Sequence, residues 1–325
     1  MKKYFFILSF ILIYQCSFDD KSGIWKNKNY SYEEKSIFSE FKTLSSSEDV
    51  FSKIITLDKK YLIEKPKKVK NISWNDIYYH KTNNIENFDY SNLNSLVFKS
   101  KRISKHNNNS YIISEKRNII FSDIRGNINI FSINEKKIID KFNFYKKKYK
   151  NLKKELNLIV ENGIIYVSDN IGFLYAYNLN KKKVLWAKNY RVPFSSNLKI
   201  YKNKLVAANQ NNNFYFFNKL SGEMLKFIPT EEITVNNEFK NNLSINDETS
   251  FFLNTYGTLY AFDNNSMKMN WFLNLNQSTD LNLSNLFSGI ELIAHNNLIV
   301  ASSNKSTYII EAQTGSILYK KNFKS

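Results

Sequence analysis

One seven-residue pattern recurs along the chain and constrains its fold more than any other feature. Gly172-Phe173-Leu174-Tyr175-Ala176-Tyr177-Asn178 runs through Lys181-Lys182-Lys183 to Leu185-Trp186. Gly257-Thr258-Leu259-Tyr260-Ala261-Phe262-Asp263 is followed by Trp271 at nearly the same offset. Looser copies occupy 213–218 with Ser221-Gly222, 306–311 with Thr314-Gly315, and 126–131. Side chains alternate with a period of two within each copy, which is the spacing of a strand and not of a helix.

The copy around Gly172 shows the anatomy of a whole repeat. Residues 156–161, 164–168, 173–178 and 184–189 each have strand character, and Asn162-Gly163 is the dipeptide of a tight hairpin. Aligned on the position of Gly172, the copies begin near 126, 172, 212, 257 and 305, at intervals of 46, 40, 45 and 48 residues. That is the length of a four-stranded propeller blade. A single such sheet cannot bury both of its faces, so the copies must stack around an axis. The expected fold is all-β: a β-propeller of four-stranded antiparallel blades with five repeats visible.

Ring closure is the open question at this level. Residues 96–101 have the pattern of a lone strand, of the kind a propeller donates to its last blade. The three strands that should join it do not follow the fifth repeat, because the sequence stops at Ser325. Either five blades close with help from residues 50–101, or further blades are missing. The second is expected, with an open or imperfectly closed ring.

Only 8 Gly and 3 Pro serve all these turns, so Asn, which tolerates left-handed backbone, must take over many of them. The 26 Phe and 21 Tyr supply the strand faces. The formal charge is +18, or +16 once Lys2 and Lys3 are removed with the first fifteen residues. Such a balance can mark nucleic acid or an anionic membrane. Here Lys is scattered among Asn, Ile, Phe and Tyr, the bias of an AT-rich genome, and no nucleic-acid partner is expected. The densest run, Lys146-Lys147-Lys148 with Lys150, Lys153 and Lys154, is expected to be a solvated loop between repeats.

The amino terminus has the shape of an export signal: Lys2-Lys3, then eleven mostly apolar residues, too few to span a bilayer as a helix. Cys16, the only cysteine, follows at once and rules out an intramolecular disulfide framework. The layout expected is a signal peptide over 1–15, a flexible tether over 16–70 and a propeller over 71–325. As a coil, the tether would reach roughly 40 Å. An uncleaved anchor, or a plain secretory signal with an incidental cysteine, is the alternative. Trp74-Asn75-Asp76 opens the folded segment.

His80, His106 and His295 lack ligand spacing, and there is no Gly-rich phosphate loop and no Gly-x-Ser-x-Gly elbow. No catalytic residue, metal or cofactor is expected. The equivalence of Trp186 and Trp271 within the repeat points to packing between blades. For partner contact, Arg191, Val192, Pro193 and Phe194 stand out after Tyr190, since aromatic and guanidinium groups are enriched in binding hot spots. An ordinary connection stiffened by Pro193 is the simpler reading of the same residues. Ile228-Pro229-Thr230-Glu231-Glu232 is a second candidate loop.

The motif Gly-x-Leu-Tyr-Ala-Tyr/Phe-Asn/Asp, a turn and then Leu-Trp is similar to the PQQ-like propeller repeat, best at 172–186 and 257–271. Ile13-Tyr14-Gln15-Cys16 resembles a bacterial lipobox, which implies lipidation at Cys16. Ser17 after it implies the outer membrane, with the body on the periplasmic face. Together these features resemble the BamB family of lipoproteins in the outer-membrane β-barrel assembly machinery. The resemblance implies eight blades and a non-enzymatic scaffold, a monomer within its complex. The implied partners are the barrel insertase BamA and unfolded outer-membrane proteins. The same repeat occurs in quinoprotein dehydrogenases, which hold calcium and pyrroloquinoline quinone, and that family or another envelope adaptor is the alternative.

Overall fold

The structure, a computed structural model, describes residues 17–18, 25–26, 56, 67–70, 73–89, 96, 98–233, 239–276, 287, 289–303 and 305–323. The chain divides into two units, Met1–Ser46 and Ser47–Ser325. In the first unit, strands β1 (Ser17–Phe18) and β2 (Trp25–Lys26) pair antiparallel. The rest of the expected tether is mostly outside the described residues.

The second unit carries five four-stranded antiparallel sheets, each an up-and-down meander. The first is β3 (Asn108–Glu115), β4 (Asn118–Asp123), β5 (Asn127–Ser132) and β6 (Lys137–Asn143). The second is β7 (Leu156–Glu161), β8 (Ile164–Asp169), β9 (Phe173–Asn178) and β10 (Lys183–Asn189). The third is β11 (Lys199–Tyr201), β12 (Lys204–Ala208), β13 (Phe214–Asn218) and β14 (Met224–Ile228). The fourth is β15 (Asn242–Asn246), β16 (Thr249–Leu253), β17 (Thr258–Asp263) and β18 (Lys268–Asn274). The fifth is β19 (Ile293–His295), β20 (Leu298–Ser302), β21 (Ser306–Glu311) and β22 (Ile317–Asn322). These are the blades of a β-propeller, at the five positions that the repeat marks.

Among the described residues 96 and 98–101 there is no strand, contrary to expectation. The first blade takes all four of its strands from 108–143, so no outside strand is needed there. Leu96 is exposed, and Phe98 instead stacks on Phe131 of β5 at 5.8 Å.

Turn chemistry repeats with the strands. Between second and third strands, one short polar side chain accepts two backbone N–H groups. Asp169 Oδ1 takes those of Ile171 and Phe173, both at 2.8 Å. Asp123, Asn209, Asn254 and Ser303 do the same in the other four blades. The third blade has Asn212 at φ 66° where the second has Gly172 at 95°. Asn thus replaces glycine by satisfying the turn from its own side chain and tolerating the left-handed backbone.

The tryptophans tie neighbouring blades together. A bulge shifts the β9–β10 register between Val184 and Trp186, leaving Leu185 exposed and turning the indole toward the third blade. Trp186 Nε1 donates to Lys219 O at 3.1 Å, and its ring lies where a Cβ on Gly222 would sit. Trp271 repeats the arrangement, donating to Ala312 O at 3.1 Å against Gly315. The sequence expectation of inter-blade packing describes both.

Buried apolar clusters join blade one to two, two to three, three to four and four to five. Among the described residues no such cluster joins blade five to blade one. Val300 and Ile309 stay half-buried on the face of blade five opposite its shared core, whereas the first three strands of blade two are buried almost continuously. The ring therefore has a seam.

Because Trp271 is half-buried and also donates a hydrogen bond, Trp271→Ala should destabilise the protein by about 3 kcal/mol. Leu185→Ala, at the exposed bulge, should stay within about 0.5 kcal/mol. Urea unfolding followed by circular dichroism distinguishes them, and equal small losses would refute the docking role.

Candidate functional site

The fourth strands are largely exposed, so the first strands face the axis, and there the chain's own segment 74–84 lies across them. Trp74 pairs with Ser114 of β3, exchanging backbone hydrogen bonds of 2.9 and 2.7 Å. Val160 N of β7 donates to Asn75 O at 2.8 Å. Ile245 N of β15 donates to Lys81 O, and Ala294 N of β19 to Thr82 O, at 2.7 and 2.9 Å. Asn83 Nδ2 bridges Leu243 O and Leu292 O at 2.8 and 2.7 Å. This segment is a plug, bonded to the inner edge of blade after blade.

Blade three holds the plug through a charge. Lys199 of β11 is fully buried, and its Nζ donates to Asp76 Oδ2 at 2.6 Å and to His80 O at 2.8 Å. It also donates to Asn83 Oδ1. Asp76 Oδ1 accepts the Tyr78 N–H at 3.0 Å. Burial pushes the Asp76 carboxyl up and the Lys199 ammonium down, and their mutual attraction opposes both shifts. With all three ammonium hydrogens bonded and the carboxylate doubly bonded, the pair meets the conditions under which a buried ion pair survives. Burial also lowers the pKa of His80, whose Nδ1 accepts the Thr82 N–H at 3.2 Å.

Nothing in the sequence reading singled out Asp76 or Lys199. A signal was present: counted back from the first hairpin turn, Lys199 stands where the other blades have Ile113, Ile159, Ser244 and Ile293. A lysine in an otherwise mostly apolar repeat position needs a buried partner.

At the end bearing the second-to-third-strand turns, a funnel of about 750 Å³ opens among blades one to four. Its wall is rich in amides, including Asn107, Asn108, Asn109 and Asn157. Tyr111 lines it and packs edge-on against Tyr78 of the plug, with ring centroids 5.9 Å apart. Lys240 lines the same space, its ammonium 5.8 Å from the Tyr111 ring.

The loop singled out from sequence runs along this rim. Gly172 has φ 95°, and a Cβ there would stand 3.0 Å from the backbone N and O of Val192, so the glycine admits the loop. Arg191 is exposed, Val192 and Pro193 are half-buried, and Pro193 lines the funnel. Phe194 is 4% exposed and belongs to the core between blades two and three. Tyr190 packs there too, donates to Gly222 O at 2.5 Å and is pushed up to about 12 by burial. The loop's aromatics thus pack the core, while Arg191 and Pro193 face the rim. In the second candidate loop, Glu231 accepts from Tyr260, Thr258 and Asn254 of blade four and acts as a clamp. Cys16 lies outside the described residues.

A calcium and quinone site does not fit the funnel. Among the described residues Glu155 is the one carboxylate in its lining, and Lys153 engages it at 3.3 Å, whereas calcium takes six to eight oxygen ligands, carboxylates prominent among them. Among the described residues no three His, Cys, Asp or Glu side chains converge as a metal site.

No family model and no curated protein sequence matches the chain. Solved structures do. BamB from Moraxella catarrhalis is 12% identical with a TM-score of 0.55, over 66% of this chain and 64% of that one. A europium-containing methanol dehydrogenase gives 12% and 0.58, over 78% and 58%. The computationally designed Ika8 protein gives 13% and 0.54, over 65% and 60%. The chain spans about three fifths of the length of each. At such identities the likeness shows a shared propeller fold.

Removing one member of the axial pair should be costly, because it leaves the other buried and unpaired. Lys199→Met alone is expected to lose about 3–5 kcal/mol. The double variant Asp76→Leu with Lys199→Met should recover a substantial part of that loss. A double-mutant cycle by urea unfolding measures this, and additive losses would contradict the coupling.

Proposed function

We propose that this protein is a non-enzymatic scaffold of the bacterial envelope that acts in outer-membrane β-barrel assembly and contacts the barrel insertase through propeller loops. The observations that carry the reading are the plug, in which the chain's own residues 74–84 lie across the first strands around Asp76 and Lys199, and an amide-rich funnel lining that does not fit calcium and quinone. What is left for partners is the loop surface around the funnel. A BamB structure among the propellers of similar fold agrees with the reading at the level of fold. A methanol dehydrogenase is also among them, and the plugged axis weighs against carrying its chemistry over.

Arg191 is the group we assign to partner contact. It is exposed, held at φ 65° with its N–H bonded to Asn189 Oδ1 at 2.7 Å, and it stands on a core-packed loop. Its backbone is already fixed, so binding has to order only the side chain. In a tagged full chain, Arg191→Glu should reduce capture of the insertase at least tenfold, about 1.4 kcal/mol, with the unfolding midpoint unchanged. Undiminished capture would exclude the loop. Reproducible absence of the insertase from captures by the unaltered protein would overturn the assignment to this machinery.

The anchoring we propose is lipid at Cys16, holding the propeller on the periplasmic side of the outer membrane. Cys16→Ser should then move the protein from the membrane to the soluble fraction and abolish its labelling by radioactive palmitate. Persistent sedimentation with membranes would instead identify the apolar amino terminus as an uncleaved anchor.

A further inference from the structure

The lysine run after the first blade is exposed at Lys146, Lys147, Lys148, Lys150 and Lys153, as expected of a solvated loop, but Lys154 is buried. Residues 146–154 fold back over the second-to-third-strand turn of blade one, with a short 3-10 turn at Lys147–Tyr149. Lys154 N donates to Ile124 O at 2.9 Å, and Arg125 Nη1 donates to Lys150 O at 2.7 Å. The fold-back creates a pocket of about 380 Å³, at the small end of ligand-sized cavities. Arg125, Lys146, Lys147, Lys150 and Lys154 line it, and among the described residues no carboxylate does.

One wall of the pocket is built around Lys154, while Arg125, Lys146, Lys147 and Lys150 line it as exposed side chains. Lys154 is 1% exposed, its stem and the Tyr145 ring lying against Gly126, where a Cβ would collide with the ring. Its ammonium donates to Tyr149 O and sits 5.3 Å from the Tyr145 ring centroid. Tyr145 is fixed by donating to Asp169 Oδ2 at 2.5 Å. The carboxylates that act on Lys154 are Asp123 and Asp169, and both already accept turn N–H groups. Two carboxylates thus act on Lys154, in a pocket that five side-chain cations line. Desolvation and the Arg125 charge both lower the Lys154 pKa, which an arriving anion would reverse.

We propose that this pocket binds a phosphate-bearing ligand, either a free phosphate ester or the headgroup of an anionic lipid. A phosphate offers several acceptor oxygens and up to two charges, matching a guanidinium and ammonium groups that converge from one loop and one turn. The amide-lined funnel, with Glu155 in its wall, offers no comparable convergence of cations.

The test uses the full chain and two probes: glycerol 3-phosphate by titration calorimetry, and vesicles of phosphatidylglycerol against phosphatidylcholine by co-sedimentation. Three forms are compared: the unaltered protein, Lys147→Glu with Lys150→Glu, and a charge-matched control, Lys181→Glu with Lys183→Glu, on the exposed turn of blade two. The pocket variant should bind at least one probe about tenfold more weakly, as expected for lost charge-assisted contacts, while the control keeps its affinity. Loss with glycerol 3-phosphate identifies a free ester, and loss with vesicles alone identifies a lipid headgroup. Milder Lys147→Gln with Lys150→Gln, checked for an unchanged unfolding midpoint, should give an intermediate loss. Equal weakening in the control would reduce the effect to net charge and overturn the proposal, as would unaltered protein that binds neither probe.

Discussion

The ion pair between Asp76 and Lys199 is the constraint on which the centre of this propeller depends. Blades touch mainly through their faces, and those faces are held by apolar clusters and docked tryptophans. The inner edges are different, because each first strand turns one row of backbone groups toward the axis, where unpaired polar groups are costly if water is excluded. The plug answers that row with its own backbone, and Lys199 fixes where it sits by binding Asp76, His80 and Asn83 at once. A buried pair of this kind contributes little net stability beyond an apolar equivalent, and its value lies in specifying one arrangement.

The plug and the seam belong together. Four apolar clusters join five blades, and blade five shares none with blade one among the described residues. The plug reaches both, bonding Ser114 in the first and Ala294 in the fifth, so the ring's two ends are tied at the axis by hydrogen bonds and not across a packed face. With the plug in place, the open concave surfaces described are the funnel and the basic pocket beside blade one.

Much of the fold was legible because the repeat reports on it several times over. Alternation gave the strands, the Asn162-Gly163 dipeptide gave a hairpin, and Asn at 209, 212 and 254 does the turn work expected of it. The equivalence of Trp186 and Trp271 anticipated their docking on the next blade. Residues 96–101 misled because a short apolar run carries no information on whether an edge is free to receive it. Phe194 drew notice as an aromatic in a loop, but the cleft between blades two and three was there to bury it. Composition hid the basic pocket, since a lysine run in a lysine-rich chain looks like every other.

By itself the sequence determined the blade: its strands, its turns, and the tryptophans that lock blade two to three and blade four to five. Those are local or nearest-neighbour matters, encoded within one period and repeated. Tertiary structure alone decided what lies at the axis and which cations converge. Asp76 and Lys199 are separated by 123 residues, and Arg125 meets Lys154 only because a loop folds back over a turn. No periodicity records such meetings, because they depend on where the ring brings its inner edges together.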